Sequence, residues 1–314
     1  MELSDRDITK HYKSIKDYTG SKALNEKLVN TVYNYKPDLL IFGHADLIKD
    51  NTLSYLKDNY KNLKIAQWFL DPLIKNGPDY EKNKSRILNK IEFTDANFIT
   101  TSPDVLDFLP EKKLSLFMPN PTDPSFEVLN NYENNNCSMD VFFALSHGVH
   151  RGILKKGKFD ERADFVNRLV EITPNVKFDL YGINNIQPIW ADSFLKSISN
   201  AKMGVNLSRG HPIKYYSSDR ITQLIGNGLL TFIHKDTFYN NFFNNDEIIF
   251  YKNLSNLSEQ IQKFARDDKT RKKIAKKGKE KYMKYFNSTL VADYIISKTF
   301  NLDNKKKRFM WAEK

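Results

Sequence analysis

The chain carries one cysteine, Cys137, in 314 residues. An intramolecular disulfide is therefore excluded, and stability has to come from a packed core. Cys137 also sits beside Asn134, Asn135 and Asn136, in a stretch with a linker's composition. A reducing cytoplasm fits both facts. Long hydrophobic runs are missing too: Leu39 to Gly43 and Ile221 to Ile233 are short or broken by polar residues, against the roughly 20 apolar residues a spanning helix needs. The opening Met1-Glu2-Leu3-Ser4-Asp5-Arg6-Asp7 has no apolar core behind a basic start, so no secretory signal is expected. No heptad stands out, and oligomeric state is not legible.

What is present is enough hydrophobic (40%) and aromatic (13%) side chain for a folded protein. The length allows two domains of ordinary size. The net charge of +11 is concentrated late, in Lys269-Thr270-Arg271-Lys272-Lys273 through Lys284 and again in Lys305-Lys306-Lys307-Arg308. Two readings stay open: a solvated helix face, or contact with the anionic inner face of a membrane. Phe309, Met310 and Trp311 follow the last basic run; they suit a bilayer interface or a docking site on the protein's own surface. Nucleic acid is not an expected partner, because the aromatics near these charges form no stacking platform.

Strand and helix signals alternate in two halves. Leu24 to Tyr35 has helical spacing, Pro37-Asp38 ends it, and Leu39-Leu40-Ile41-Phe42 reads as a buried strand. A helix near Asn51 to Asp58, a strand Lys64 to Phe69, a helix near Tyr80 to Glu92 and a strand Ala96 to Thr101 follow. Pro119 to Pro124 and Asn130 to Asn136 read as loop and linker. The second half runs through strands Met139 to Leu145, Val176 to Tyr181, Met203 to Leu207 and Glu247 to Tyr251, with helices Arg162 to Ile172, Ser193 to Ser199, Leu254 to Ala265 and Lys269 to Tyr285. Repeated β-then-α wiring predicts α/β architecture with two doubly wound, Rossmann-like parallel sheets and ligands at the strands' carboxyl ends. The expected division is 1–133, 134–290 and a basic tail, 291–314.

The densest local signal is Tyr215 to Ile233: a polar loop, a short helix opening with Ser218, Asp219 and Arg220, the turn Gly226-Asn227-Gly228, then a buried strand. That order gathers backbone N–H groups, a cation and the Gln223 amide at one crevice, as a nucleotide diphosphate requires. Arg209 and Lys214 are further phosphate candidates. Ser146, His147 and Gly148 end the first strand of the second half, where backbone amides could cradle a pyrophosphate. His147 and His150 lack a Cys or Glu partner at a ligating spacing, so neither a metal site nor a cofactor is expected. Tyr181 and Gly182 end another strand and are placed for a nucleobase, whereas Trp190 reads as packing. In the first half His44, Asp46 and Asp71 stand at strand ends as general-base candidates. Asp71, before Pro72, also reads as a turn cap.

The order Pro37-Asp38-Leu39, Asp71, Asp140-Val141-Phe142-Phe143, Leu180-Tyr181-Gly182, Met203-Gly204-Val205-Asn206 and the block Arg220 to Gly228 resembles the CgeB-like group of GT-B glycosyltransferases. The resemblance covers roughly Leu24 to Tyr285. It implies a bacterial, cytoplasmic enzyme of cell-surface polysaccharide synthesis, peripheral to the membrane at most. Such an enzyme passes a sugar from a nucleotide-activated donor in the second domain to a glycan, lipid-linked or protein acceptor in the first. Retaining relatives carry two glutamates eight positions apart; here Tyr215 and Gln223 occupy those places, which leaves retention or inversion open. The family usually starts with a strand and a glycine-bearing loop, so the N-terminal domain reads as shortened. The missing glutamates also motivate an alternative, a noncatalytic nucleotide- or carbohydrate-binding protein of the same fold.

Overall fold

The computed structural model describes residues 1–77, 79–146, 153–154, 158–302 and 309–312. Helices α1 (Asp5–His11) and α2 (Ser21–Tyr35) lead in, and α2 stops where Lys36 turns left-handed before Pro37. A left-handed residue ends the helical ladder and Pro37 has no N–H to continue it, so the helix stops there, ahead of the strand. Strands β1 (Leu39–Phe42), β2 (Lys64–Phe69), β3 (Ala96–Ile99) and β4 (Ser115–Phe117) form a parallel sheet in the order β1-β2-β3-β4. Helices α3 (Asp50–Asn59) and α4 (Tyr80–Ile91) cross between the first three. Ile65, Ala66, Ala96 and Phe98 are fully buried, on both faces of the sheet. At the edge of the sheet β1 is less buried than its apolar run suggests, with Phe42 buried and Ile41 exposed. The three-residue β4 was not expected from the sequence.

The second sheet uses β5 (Met139–Ala144), β8 (Phe178–Tyr181), β9 (Ala201–Asn206), β10 (Leu230–His234) and β11 (Ile249–Tyr251), all parallel in the order β11-β10-β9-β5-β8. A two-stranded antiparallel hairpin of β6 (Ile153–Leu154) and β7 (Lys158–Phe159) stands outside it. Helices α5 (Glu161–Glu171), α6 (Ala191–Ser199), α7 (Arg220–Gly226), α8 (Leu254–Arg266), α9 (Asp268–Tyr285) and α10 (Ser288–Thr299) complete the chain. From β5 the chain steps to β8, then returns to the opposite side of β5 for β9. The direction therefore reverses between β5 and β9, which opens a crevice at their carboxyl ends. Gly204 on β9 lets α7 approach this crevice, since a Cβ there would lie 2.3 Å from Leu224.

Two crossings join the halves, and they bond to each other. Thr122, in the linker after β4, receives the Ser288 amide at 2.8 Å and gives its own to Phe286 at 2.9 Å, at the break between α9 and α10. Helix α10 then packs on β2 and β3, with Tyr294 edge-on to Phe98 at 5.8 Å. Residues 291–299 are thus part of the packed body, where the sequence suggested a basic tail. Phe309 and Trp311 are buried in the same core, beside Phe286 and Tyr294, so of their two readings the structure shows docking on the protein itself. On α9, Lys277 pairs with Asp246 at 2.5 Å, Lys281 with Glu247 at 2.7 Å and Lys272 with Asp268 at 3.0 Å. Those contacts favour the solvated-face reading of the basic helix; Lys305 to Arg308 lie outside the described residues. No described helix is long and apolar enough to cross a membrane.

Candidate active site

The carboxyl ends of the two sheets face each other across a cavity of about 920 Å³. That is the scale of a cleft for a small organic ligand. Its described lining holds five cations, Lys82, Arg86, Arg162, Arg209 and Arg220, against three carboxylates, Asp71, Asp79 and Asp219. The excess of positive charge suits an anionic ligand.

Arg220 opens α7 beneath the crevice and is almost wholly buried. Its Nε and Nη2 donate to the Ala144 carbonyl at 3.2 and 3.1 Å, and Nη1 donates to the Leu207 carbonyl at 2.8 Å and to Ser218 Oγ at 3.1 Å. One guanidinium therefore ties the end of β5 to the end of β9, across the point where the sheet reverses. It also lies 4.9 Å over the Phe143 ring. Burial, then the neighbouring charge of Arg162, lowers its pKa to about 10, so it stays a cation at neutral pH. The sequence suggested a phosphate ligand; four of the five N–H donors are instead spent on the protein, and Arg220 is first a structural tie. Ser146, Ser218, Asp219 and Gln223 line the same wall.

The two further phosphate candidates from the sequence, Arg209 and Lys214, differ in the structure. Arg209 lines the cavity and pairs with Asp79 across it at 2.7 Å. Lys214 is outside the lining and pairs with Asp104 of the first domain, at the seam. Arg162, unanticipated, forks onto its helix-cap residue Asp160 at 2.5 and 2.9 Å and lines the cavity beside Arg220.

Several other candidates stand elsewhere. Tyr215 is buried against Phe117 and Phe242 in the core and accepts a bond from Asn241 at 2.9 Å. Gly226, Asn227 and Gly228 lie at the far end of α7, about 10 Å from its start at 1.5 Å per residue, and hold the linker. The Leu129 amide donates to the Asn227 side chain at 3.1 Å and the Asn131 amide to its carbonyl at 3.0 Å, while a Cβ on Gly228 would strike Tyr132 at 2.8 Å. Tyr181 bonds to Ser197 at 3.0 Å and packs on Phe142, so neither it nor Gly182 lines the cavity. Trp190, read from sequence as packing, is 62% exposed on the cavity wall with Ile189 and Phe194 beside it. His147 and Gly148 lie outside the described residues.

The opposing wall is a relay of charged side chains. His44, just past β1, sets its Nε2 3.3 Å from Asp71 Oδ2, just past β2. Arg86 on α4 reaches Asp71 at 3.6 Å and fastens Asp46 through Nε at 3.0 Å and Nη2 at 2.6 Å. His44 and Asp71 line the cavity; Asp46 does not, and its carboxylate holds Arg86 from behind. Arg86 carried no sequence signal, because it is one of several basic residues along an amphipathic helix. The buried Tyr216 lies between the walls; burial, then the Asp71 charge, pushes its phenol pKa up and keeps it protonated. Among the described residues no group of three or more His, Cys, Asp or Glu is gathered to hold a metal ion, and the Asp-x-Asp triplet Asp5-Arg6-Asp7 opens α1, outside the cavity lining.

Solved structures share this arrangement of sheets. TarM from S. aureus is 13% identical with a TM-score of 0.59 over 90% of this chain, which spans 58% of TarM's length. Anabaena HepE, solved in complex with UDP and glucose, is 11% identical with a TM-score of 0.61, covering 89% of this chain and 82% of its own. Sucrose-phosphate synthase from Thermosynechococcus elongatus is 12% identical with a TM-score of 0.60, covering 90% and 78%. The fold is GT-B. Residues 162–297 match the family model described as glycosyl transferase-like. That stretch of the GT-B chain carries Arg162, Arg209, Arg220 and Gln223, while His44, Asp71 and Arg86 fall outside it. No curated protein sequence matches the chain.

Proposed function

We propose that the protein is a glycosyltransferase which holds a nucleotide-activated sugar on the second-domain wall and transfers the sugar to an acceptor on the first-domain wall. The observation that carries the reading is one cation-rich cavity bounded by a topological switch point on one side and a His44–Asp71 pair on the other. The glycosyl transferase-like stretch and neighbours solved with UDP and with UDP-glucose support the same donor class. The motif order from Pro37 to Gly228 further supports a place near the CgeB-like group.

In this mechanism Arg209 and Arg162 neutralise the departing diphosphate, and Arg220 keeps the floor of the site fixed. The nucleobase stacks on Trp190, and Gln223 hydrogen-bonds the ribose. His44 takes the proton of the acceptor hydroxyl at Nδ1, the ring nitrogen that does not face Asp71, while Asp71 at Nε2 stabilises the imidazolium that forms, as a base and its orienting carboxylate do in acyl transfer. A direct transfer of this kind inverts the anomeric centre. The acceptor is a glycan, a lipid-linked molecule or a protein.

The test is nucleotide release from a panel of UDP-, GDP-, ADP- and CMP-sugars, with and without acceptor saccharides. Release by the wild type that falls about 10²-fold or more in His44→Ala, at unchanged donor affinity, is the expected result. Donor binding with no hydrolysis or transfer by the wild type would instead favour a noncatalytic binding protein.

A further inference from the structure

Of the three tryptophans, Trp311 is buried at 2% exposure, while Trp68 and Trp190 both line the cavity, Trp68 on the first-domain wall and Trp190 on the second. Trp68 is the fifth residue of β2, and the strand's alternation explains its place. Its neighbours two positions away on either side, Ala66 and Leu70, contribute to the core shared with α10, so Trp68 points to the same face but lies nearer the carboxyl end of the sheet. There it remains 36% exposed, an unusual state for an indole in the middle of a parallel sheet. Gly43, beyond β1, borders the ring: a Cβ there would sit 3.5 Å from the indole nitrogen and 3.6 Å from the adjoining ring carbon. A larger residue at position 43 would cover that edge. The next residue in the chain is His44, held by Asp71, which closes β2 only three positions after Trp68.

We infer that Trp68 is the acceptor's sugar-binding platform, on which a pyranose ring lies so that one of its hydroxyls meets His44. The inference rests on the glycosyltransferase reading and adds the acceptor's chemical class. A pyranose has an apolar C–H face and a rim of hydroxyls. An exposed indole that lines the same cavity as an imidazole, a carboxylate and the Arg86 guanidinium offers the matching pair of surfaces, an apolar face and, across the strand end, a charged rim of donors and acceptors. A polyol phosphate has no such face, and a peptide acceptor would need backbone partners along the strand end.

The two cavity tryptophans allow each wall to report separately by fluorescence. In Trp190→Phe, the accessible emission comes from Trp68. Titration with methyl glycosides and short oligosaccharides of glucose, galactose and N-acetylglucosamine, in the presence of UDP, is expected to shift this emission saturably. In Trp68→Ala, saccharide affinity measured by calorimetry should fall about tenfold or more, and in Trp68→Phe by less, because a smaller ring remains. UDP affinity should not change in either. Saccharides that leave Trp68 unperturbed, or a response to glycerol phosphate in their place, would overturn the inference. Loss of UDP binding in Trp68→Phe would overturn it as well, by assigning the ring to the donor. If the wild type binds saccharide at Trp68 but no nucleotide diphosphate, the platform stands and the glycosyltransferase reading falls.

Discussion

The two walls of the cavity are built by different means. On the second-domain wall Arg220 is buried and its donors go to backbone carbonyls at two strand ends, so the crevice is fixed by the sheet itself. On the first-domain wall His44 and Asp71 are each 41% exposed at the side chain, and they are oriented by other side chains, Arg86 and Asp46. A backbone-tied wall suits a constant diphosphate, which needs preorganised charge. A side-chain relay can be re-aimed by single substitutions, which suits a variable acceptor.

The contrast can be broken most severely at its rigid side. Arg220→Ala leaves the Ala144 and Leu207 carbonyls without their donor and opens a void over Phe143, at a cost of about 2–4 kcal/mol. Urea denaturation should show a lower midpoint; a change under about 0.5 kcal/mol would mean the tie is incidental. The sequence read Arg220 as the cation of a diphosphate crevice, and burial of the guanidinium adds a structural role to that expectation. On the relay side Asp71→Asn should keep stability within about 1 kcal/mol of wild type yet lower kcat, because the imidazolium that forms loses its partner. Asp46→Asn should act in the same direction but less, since the Asp46 carboxylate acts on the His44 ring through Arg86 and then Asp71. Equal losses in both variants would deny the relay its order.

Smaller effects sharpen the boundary between the walls. Gly228→Ala forces a side chain into a backbone with φ +78° and against Tyr132, at about 1–3 kcal/mol, without touching donor affinity. The seam pair Lys214–Asp104 should contribute about 0.2–1 kcal/mol, since the Asp104 side chain is more than half exposed. Burial pushes the Asp104 carboxyl up, but the Lys214 hydrogen bond outweighs it with the help of Ser102, and the folded pKa lies below the ordinary 3.8. Lys214 is raised above 10.5, chiefly by its hydrogen bond to Asp104. The contribution is therefore present above pH 3.8, lost as pH falls through the folded Asp104 value, and lost again as pH rises above 10.5. Asp104→Asn should lower the melting temperature slightly and uniformly between pH 5 and 9.

Much of the fold was legible because short apolar runs between helical patterns announce strands: Leu39–Phe42 and Lys64–Phe69 are read from sequence with the bounds they have in the structure, although Leu39–Phe42, expected to be buried, is an edge strand with only Phe42 buried. What was not legible depends on distant partners. The strand Ser115–Phe117 is three residues long and is defined by pairing with β3, and α10 has apolar residues whose target, the back of β2 and β3, is over 190 positions away. In the site, His44 and Asp71 could be placed because strand ends converge at a cleft. Arg86 and Arg162 could not, because nothing local distinguishes a helix cation that faces a cavity from one that faces water. The stretch Tyr215 to Gly228 misled in part, since a seven-residue helix spans the distance between two surfaces: its first turn meets the cavity and its last holds the linker.

The most direct test is calorimetric titration of the protein with UDP, GDP, ADP and CMP, repeated on Arg209→Ala, whose side chain faces the cavity without holding the sheet together. The account predicts saturable binding of one nucleotide, weakened about tenfold or more in the variant and weaker still at high salt. Absence of binding by every nucleotide, or binding that Arg209→Ala leaves unchanged together with Arg162→Ala, would contradict a donor site on the second-domain wall.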